Sequence, residues 1–399
     1  MLGQPRVSDV SRRAFLRVSG AASALVAAQI VSEPMLARAA APRVASPGAV
    51  RIDSNENPLG PSAQARAAAA AILPEGGRYH DELTEQLEKL LAESEGLPAA
   101  YVRAFPGSSN PLHYSVTAFT SPQKSYVTAD PGYEAGMHAA DTAGARIVKV
   151  PLTQDHAHDV KAMLNAAPDA GLFYICTPNN PTGTLTSHSD IEYLVEKKPK
   201  DAVVLVDEAY IHFCDALSAI DLVKAGKDVI VLRTFSKLYG MAGLRCGVAI
   251  ARPELLDQIH AQGGWNAMPV TAVMAAKASL EERSLVAERK RINASVREQT
   301  FRWLSANNIA YIPSVSNCFM IDTRRSAGEV ISAMAKQNVL IGRVWPVWPT
   351  WARITVGTQA EMEKFQAALE RTLKGTFTAS MAPVRTTRRR YADGIALPG

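Results

Sequence analysis

With 399 residues, 47% hydrophobic and 20% charged, the chain can bury a core large enough for two globular domains, and the composition excludes disordered and fibrous classes. Of the formal net charge of +5, +3 falls in residues 1–39 and another +3 from Arg385 onward. The body is therefore close to neutral and gives no case for a nucleic-acid surface.

At the start, Ser11-Arg12-Arg13-Ala14-Phe15-Leu16 precedes an apolar run from Ser19 to Val31, followed by the small-residue pattern Ala37-Arg38-Ala39. This resembles a twin-arginine export signal. The run is too short and too rich in Ala and Ser to span a bilayer, and no later segment has the roughly 18 apolar residues that spanning requires. The expectation is a signal peptide over 1–39, export by the twin-arginine machinery, and a soluble periplasmic protein beginning near Ala40. An N-terminal arm over 40–75 follows, with a helix in its alanine-rich part, 64–71.

Six apolar runs then end in polar clusters and alternate with helix-sized intervals: YVRAF (101–105), KSYVTA (124–129), RIVKV (146–150), GLFYIC (171–176), AVVLVD (202–207) and DVIVLR (228–233). Unbroken β-branched runs of this length predict an α/β domain over 76–260, with a mostly parallel sheet covered on both faces. After Ala251 the pattern changes. A helical stretch from about Val273 to Leu304 leads into strand-like YIPSVSNCFMID and ARITVG, and Thr358 with Glu361 three residues on starts a last helix that stops at Gly375. This reads as a smaller α+β domain over 261–378, and the basic 379–399 reads as a disordered tail.

In parallel sheets, ligands bind beyond the carboxyl ends of the strands. There the sequence offers Gly107-Ser108-Ser109-Asn110, a strand-to-helix turn suited to a phosphate, then Tyr133, Asn180 in a rigid Pro-bounded turn, Asp207 and Tyr210, and finally Ser236, Lys237 and Arg245. A carboxylate closing so apolar a strand as AVVLVD demands a facing cation or donor. A phosphate cradle (Ser108, Ser109, Ser236, Arg245), a stacking ring (Tyr133), an oxygen-binding pair (Asn180, Tyr210), a carboxylate and an amine are together what pyridoxal 5'-phosphate needs. The histidines of QDHAHD (154–159) read as surface residues, so no metal is expected, and the scattered Cys176, Cys214, Cys246 and Cys318 read as free thiols.

NENPLG (55–60), RYHDE (78–82), TPNNPTG (177–183), DEAY (207–210), TFSKLYGMAGLRCG (234–247) and ARITVGT (352–358) resemble the fold type I pyridoxal-phosphate aminotransferases of class I/II, and most closely the histidinol-phosphate aminotransferase branch, over roughly 50–375. The resemblance implies Lys237 as the residue that bonds the cofactor aldehyde and acts as acid and base. It implies Asp207 at the pyridine nitrogen and Asn180 and Tyr210 at the ring hydroxyl. Tyr79 would reach the phosphate held by a second subunit, so a homodimer is implied. Asn57, Arg343 and Arg353 would bind substrate, the arginines taking its anionic group. The activity implied moves an amino group between an amino acid or related amine and a 2-oxo acid. Decarboxylation or oxidation on the same scaffold is the alternative. The chain departs from the family at Ser109-Asn110, where an acidic pair is usual, and at His80, where proline is usual. VWPVWPTW (344–351) places Trp345, Trp348 and Trp351 between the arginines, as small-domain packing or as a wall for substrate.

Overall fold

The computed structural model describes residues 30–33, 35–36, 47–263 and 267–374. The arginine motif, the Ala37-Arg38-Ala39 pattern and the basic tail lie outside the described residues. The strands are β1 (Val50–Ile52), β2 (Val102–Phe105), β3 (Ser125–Asp130), β4 (Ile147–Pro151), β5 (Ala170–Cys176), β6 (Val203–Asp207), β7 (Val229–Thr234), β8 (Gly247–Ile250), β9 (Cys318–Asp322), β10 (Val339–Ile341) and β11 (Trp351–Thr355).

Seven of them form one sheet in the order β2-β8-β7-β6-β5-β3-β4. The pairs among β4, β3, β5, β6 and β7 are parallel, and β8 runs antiparallel to both β7 and β2. Leu172, Tyr174, Cys176, Leu205, Ile230 and Leu232 face one helix layer, while Phe173, Ile175, Val204, Val206, Val229 and Val231 face the other. Two covered faces explain why these runs have no polar alternation.

The smaller domain pairs β9 with β11 antiparallel and β1 with β10 parallel. Its core joins Ile52, Phe301, Leu304, Phe319, Ile321, Met362 and Phe365. The helix Gln359–Lys374 opens with a reciprocal cap: Glu361 Oε2 accepts from Thr358 N at 2.7 Å, and Thr358 Oγ1 accepts from Glu361 N at 3.3 Å. Among the described residues, no helix is long and apolar enough to cross a membrane.

Three details differ from the sequence reading. The stretch expected as one helix from Val273 is two, Val270–Glu281 and Leu285–Ala306. Packing does not change at 260/261. Ala272, Val273, Ala275, Ala276 and Leu285 belong to the large-domain core, and only from Val296 onward does the long helix join the small one. Finally, β1 brings part of the N-terminal arm into the small domain.

Candidate active site

The carboxyl ends of β2, β3, β5, β6 and β7 converge on a cavity lined by Ser108, Ser109, Tyr133, Asn180, Asp207, Tyr210, Ser236, Lys237 and Arg245, together with Ser32 and Glu33. The anion cradle depends on two glycines. Gly107 has φ +85°, and a Cβ on it would lie 2.0 Å from Arg245 Nη2. A Cβ on Gly247 of β8 would lie 2.4 Å from Ser108 N. Only bare backbone lets the guanidinium and the turn occupy this space together. Arg245 donates through Nη1 to Ser236 Oγ at 3.3 Å and to Ala242 O at 3.0 Å. Ser108 and Ser109 stand where the helix Ser109–Phe119 begins, so its free N–H groups add to the cradle.

Asp207 ends β6 with its carboxylate fixed at both oxygens: Tyr174 OH donates to Oδ2 at 2.8 Å and Ala209 N to Oδ1 at 3.1 Å. Burial raises its pKa, against the pull of Tyr174, Ala209 and Lys237. Burial likewise lowers the Lys237 amine, which lies 5.6 Å from the centre of the Tyr210 ring. Tyr133 and Tyr210 are held protonated by burial. Tyr210 OH accepts from Asn55 Nδ2 at 2.9 Å, and Asn55 is locked in turn to Thr355 Oγ1 through its own N at 2.9 Å.

Arg353, on β11, is fully buried. Its Nη1 donates to Asn180 Oδ1 at 2.8 Å, and its Nη2 to Asp53 O at 2.7 Å and to Glu33 Oε1 at 2.5 Å. Arg343 Nη1 donates to Glu134 Oε1 at 2.7 Å, and its Nη2 lies 3.5 Å from Glu33 Oε2. The Trp345 ring underlies both guanidiniums, 4.4 Å from Arg343 Cζ and 5.6 Å from Arg353 Cζ, and its Nε1 donates to Gly132 O at 2.8 Å. Trp345 therefore ties the arginine pair of the small domain to the Tyr133 turn of the large one. Trp348 and Trp351 pack with Trp345, Ile312 and Met320 as a satellite core.

Not every expected residue reaches this cavity. Asn57 turns its amide to Leu238 O at 2.8 Å, and it is Asn55, two residues earlier, that meets Tyr210. Tyr79 is 68% exposed, on the outer surface of this chain. His158 is buried beside Cys176 N, whose N–H it accepts at 3.3 Å, rather than lying on the surface. All four cysteines are free, and Cys214 is the one not fully buried. Sequence reasoning missed Asn55, Tyr174, Trp345 as a support of the arginines, and Glu33. Period-2 alternation puts Tyr174 on the face of Cys176, which pairs with Asp207, so that hydroxyl was legible once the register was known.

The donor set fits pyridoxal 5'-phosphate. The glycine-dependent cradle suits a dianion, the buried Asp207 carboxylate suits a ring cation, and the desolvated Lys237 amine suits an aldehyde. A family model described as aminotransferase class I and II matches residues 50–369. A histidinol-phosphate aminotransferase of Symbiobacterium thermophilum is 32% identical over 327 residues, covering 81% of this chain and 90% of that protein. An aromatic amino acid aminotransferase of Rhodococcus jostii is 35% identical over 333 residues, covering 80% and 89%. The solved structure of histidinol-phosphate aminotransferase from Sinorhizobium meliloti in complex with pyridoxal-5'-phosphate matches with a TM-score of 0.74 at 25% identity, covering 86% of this chain and 95% of that one.

Proposed function

The chain belongs to the aminotransferase class I and II family and is a pyridoxal-phosphate-dependent aminotransferase; from that premise we propose that its donor joins a planar ring to an anionic group, which Arg353 and Arg343 receive. The observation that carries this is Arg353 itself, fully buried yet forked between Asn180 and the Glu33 carboxylate, both of which line the cavity that holds Lys237. The ring is suggested by the names of two relatives, one acting on histidinol phosphate and one on aromatic amino acids.

The residues divide the work as follows. Ser108, Ser109, Ser236 and Arg245 would hold the phosphate, and Tyr133 would hold the ring. Asp207, its carboxylate oriented by Tyr174 and Ala209, would hold the ring nitrogen and favour its protonated form. Asn180 and Tyr210, both lining the cavity, would hold the ring oxygen. When bound, the cofactor supplies the electron sink for breaking a bond at the substrate carbon. By holding the substrate's anionic group, the arginines would orient the substrate carbon. Lys237 Nζ, buried where its neutral form is favoured, would take the proton from that substrate carbon as general base and then carry it as general acid.

A homodimer is part of the proposal. Leu59, Leu73 and Tyr79 are exposed apolar or aromatic side chains within one stretch of the arm and the segment after it, a surface suited to a second copy of the chain. Export by the twin-arginine route is also proposed, on Ser11-Arg12-Arg13-Ala14-Phe15-Leu16. Such a route carries folded protein with its cofactor inside.

A spectral screen of amine donors tests the activity. The reading predicts loss of the aldehyde-form absorbance with anionic ring-bearing donors and its return on adding a 2-oxo acid. Carbon dioxide release or oxygen uptake in place of that reversible change would replace it with decarboxylation or oxidation.

A further inference from the structure

The arginine pair already carries a carboxylate supplied by the chain itself. Ser32 to Leu36 closes a turn, Met35 N and Leu36 N donating to Ser32 O at 3.0 and 3.1 Å, which points Glu33 into the cavity. Its side chain is buried. Oε1 accepts from Arg353 Nη2 at 2.5 Å, and Oε2 lies 3.4 Å from Asn180 Nδ2 and 3.5 Å from Arg343 Nη2. Ser32 and Glu33 line the same space as Lys237, Asp207 and Tyr133. Burial by itself would raise the carboxyl, but Arg353, Arg343 and Lys237 outweigh it and hold it at about 2, so it remains an anion throughout the neutral range.

We propose that the segment around Glu33 is an intramolecular occupant of the substrate's anion site, so that with it in place the enzyme is self-inhibited and an incoming carboxylate must displace it. This rests on the reading of Arg353 as the anion receptor. What excludes a second carboxylate is charge rather than a lack of donors, since among the described residues Arg353 Nε and Arg343 Nε and Nη2 have no hydrogen-bond partner. Arg353 Nη1 is committed to Asn180, Nη2 is shared between Asp53 O and Glu33, and Arg343 Nη1 is committed to Glu134. A second carboxylate beside the first would meet like charge in a dry site. A group on the same chain also competes intramolecularly, at an effective concentration that a free carboxylate has to exceed. Glu33 lies upstream of the Ala37-Arg38-Ala39 pattern, and cleavage there would remove the occupant, making export and activation a single event.

The test uses the full-length holoenzyme and maleate as probe, with affinity read from tryptophan fluorescence, since Trp345 lies beneath both guanidiniums. Glu33→Gln, isosteric and uncharged, and Glu33→Ala should each bind maleate about tenfold to a hundredfold more tightly than wild type, the range set by one charge-assisted hydrogen bond. An acetylated peptide of residues 30–36 should compete with maleate on Glu33→Ala. Equal maleate affinity in wild type and both variants, or weaker binding in the variants, overturns the inference while leaving the proposed function standing. Maleate affinity indifferent to Arg353→Leu in the Glu33→Ala background would remove the anion receptor, and with it both readings.

Discussion

Replacing Gly107 with alanine changes one methyl group and should act almost entirely on the phosphate cradle. The position has φ +85°, which L residues rarely adopt, and the new Cβ would lie 2.0 Å from Arg245 Nη2 and 2.6 Å from its Cζ. The guanidinium has to move off its bonds to Ser236 and Ala242 and therefore away from the phosphate. One charge-assisted hydrogen bond to the phosphate is worth about 1.5–3 kcal/mol. At 1.4 kcal/mol per decade, that is about a ten- to 150-fold loss of cofactor affinity. The backbone strain adds about 1 kcal/mol to the cost of folding. Titrating the apoprotein with pyridoxal 5'-phosphate by absorbance measures the first effect, and urea unfolding of the apoprotein measures the second. Cofactor affinity within about threefold of wild type would refute the assignment of Gly107 and Arg245 to the cradle.

Arg353→Lys keeps the charge but loses the fork, so the KM for an anionic donor should rise about tenfold or more with kcat less affected, as steady-state kinetics would show. Asp207→Asn sets an amide nitrogen against either Tyr174 OH or Ala209 N, both of which are donors, and turnover should fall at least about tenfold; unchanged turnover removes Asp207 from the ring nitrogen. His158 is depressed by burial from near 6.5 to about 4. The unfolded chain therefore binds a proton at a pH where the folded one does not, and stability is full above about pH 6.5 and lost as pH falls toward 4, by about 3 kcal/mol. His158→Gln should flatten that slope in urea unfolding at pH 7 and 4.5.

The parallel part of the fold was legible because double burial leaves unbroken apolar runs, each followed by a polar turn. β8 was not: GVAI is four residues long, begins with Gly247, and follows directly on the lysine motif. β1 and β10 are three residues each and gain strand structure only by pairing with one another. The break at Glu282 to Ser284 between two helices carries neither Gly nor Pro. Most cavity side chains follow strand ends and so could be found by position. Asn55 and Asn57 both lie in NENPLG, and spacing alone cannot say which amide turns toward Tyr210. Glu33 was hidden for another reason, since a segment read as a leader gives no cause to place its carboxylate on an arginine 320 residues away.

If one cavity tethers the coenzyme through Lys237, borohydride reduction of the freshly purified holoenzyme, followed by proteolysis and mass spectrometry, should place the coenzyme mass on the peptide carrying Lys237 and on no other, with the label absent from Lys237→Ala. Label on a different lysine, or none on any peptide, would contradict it.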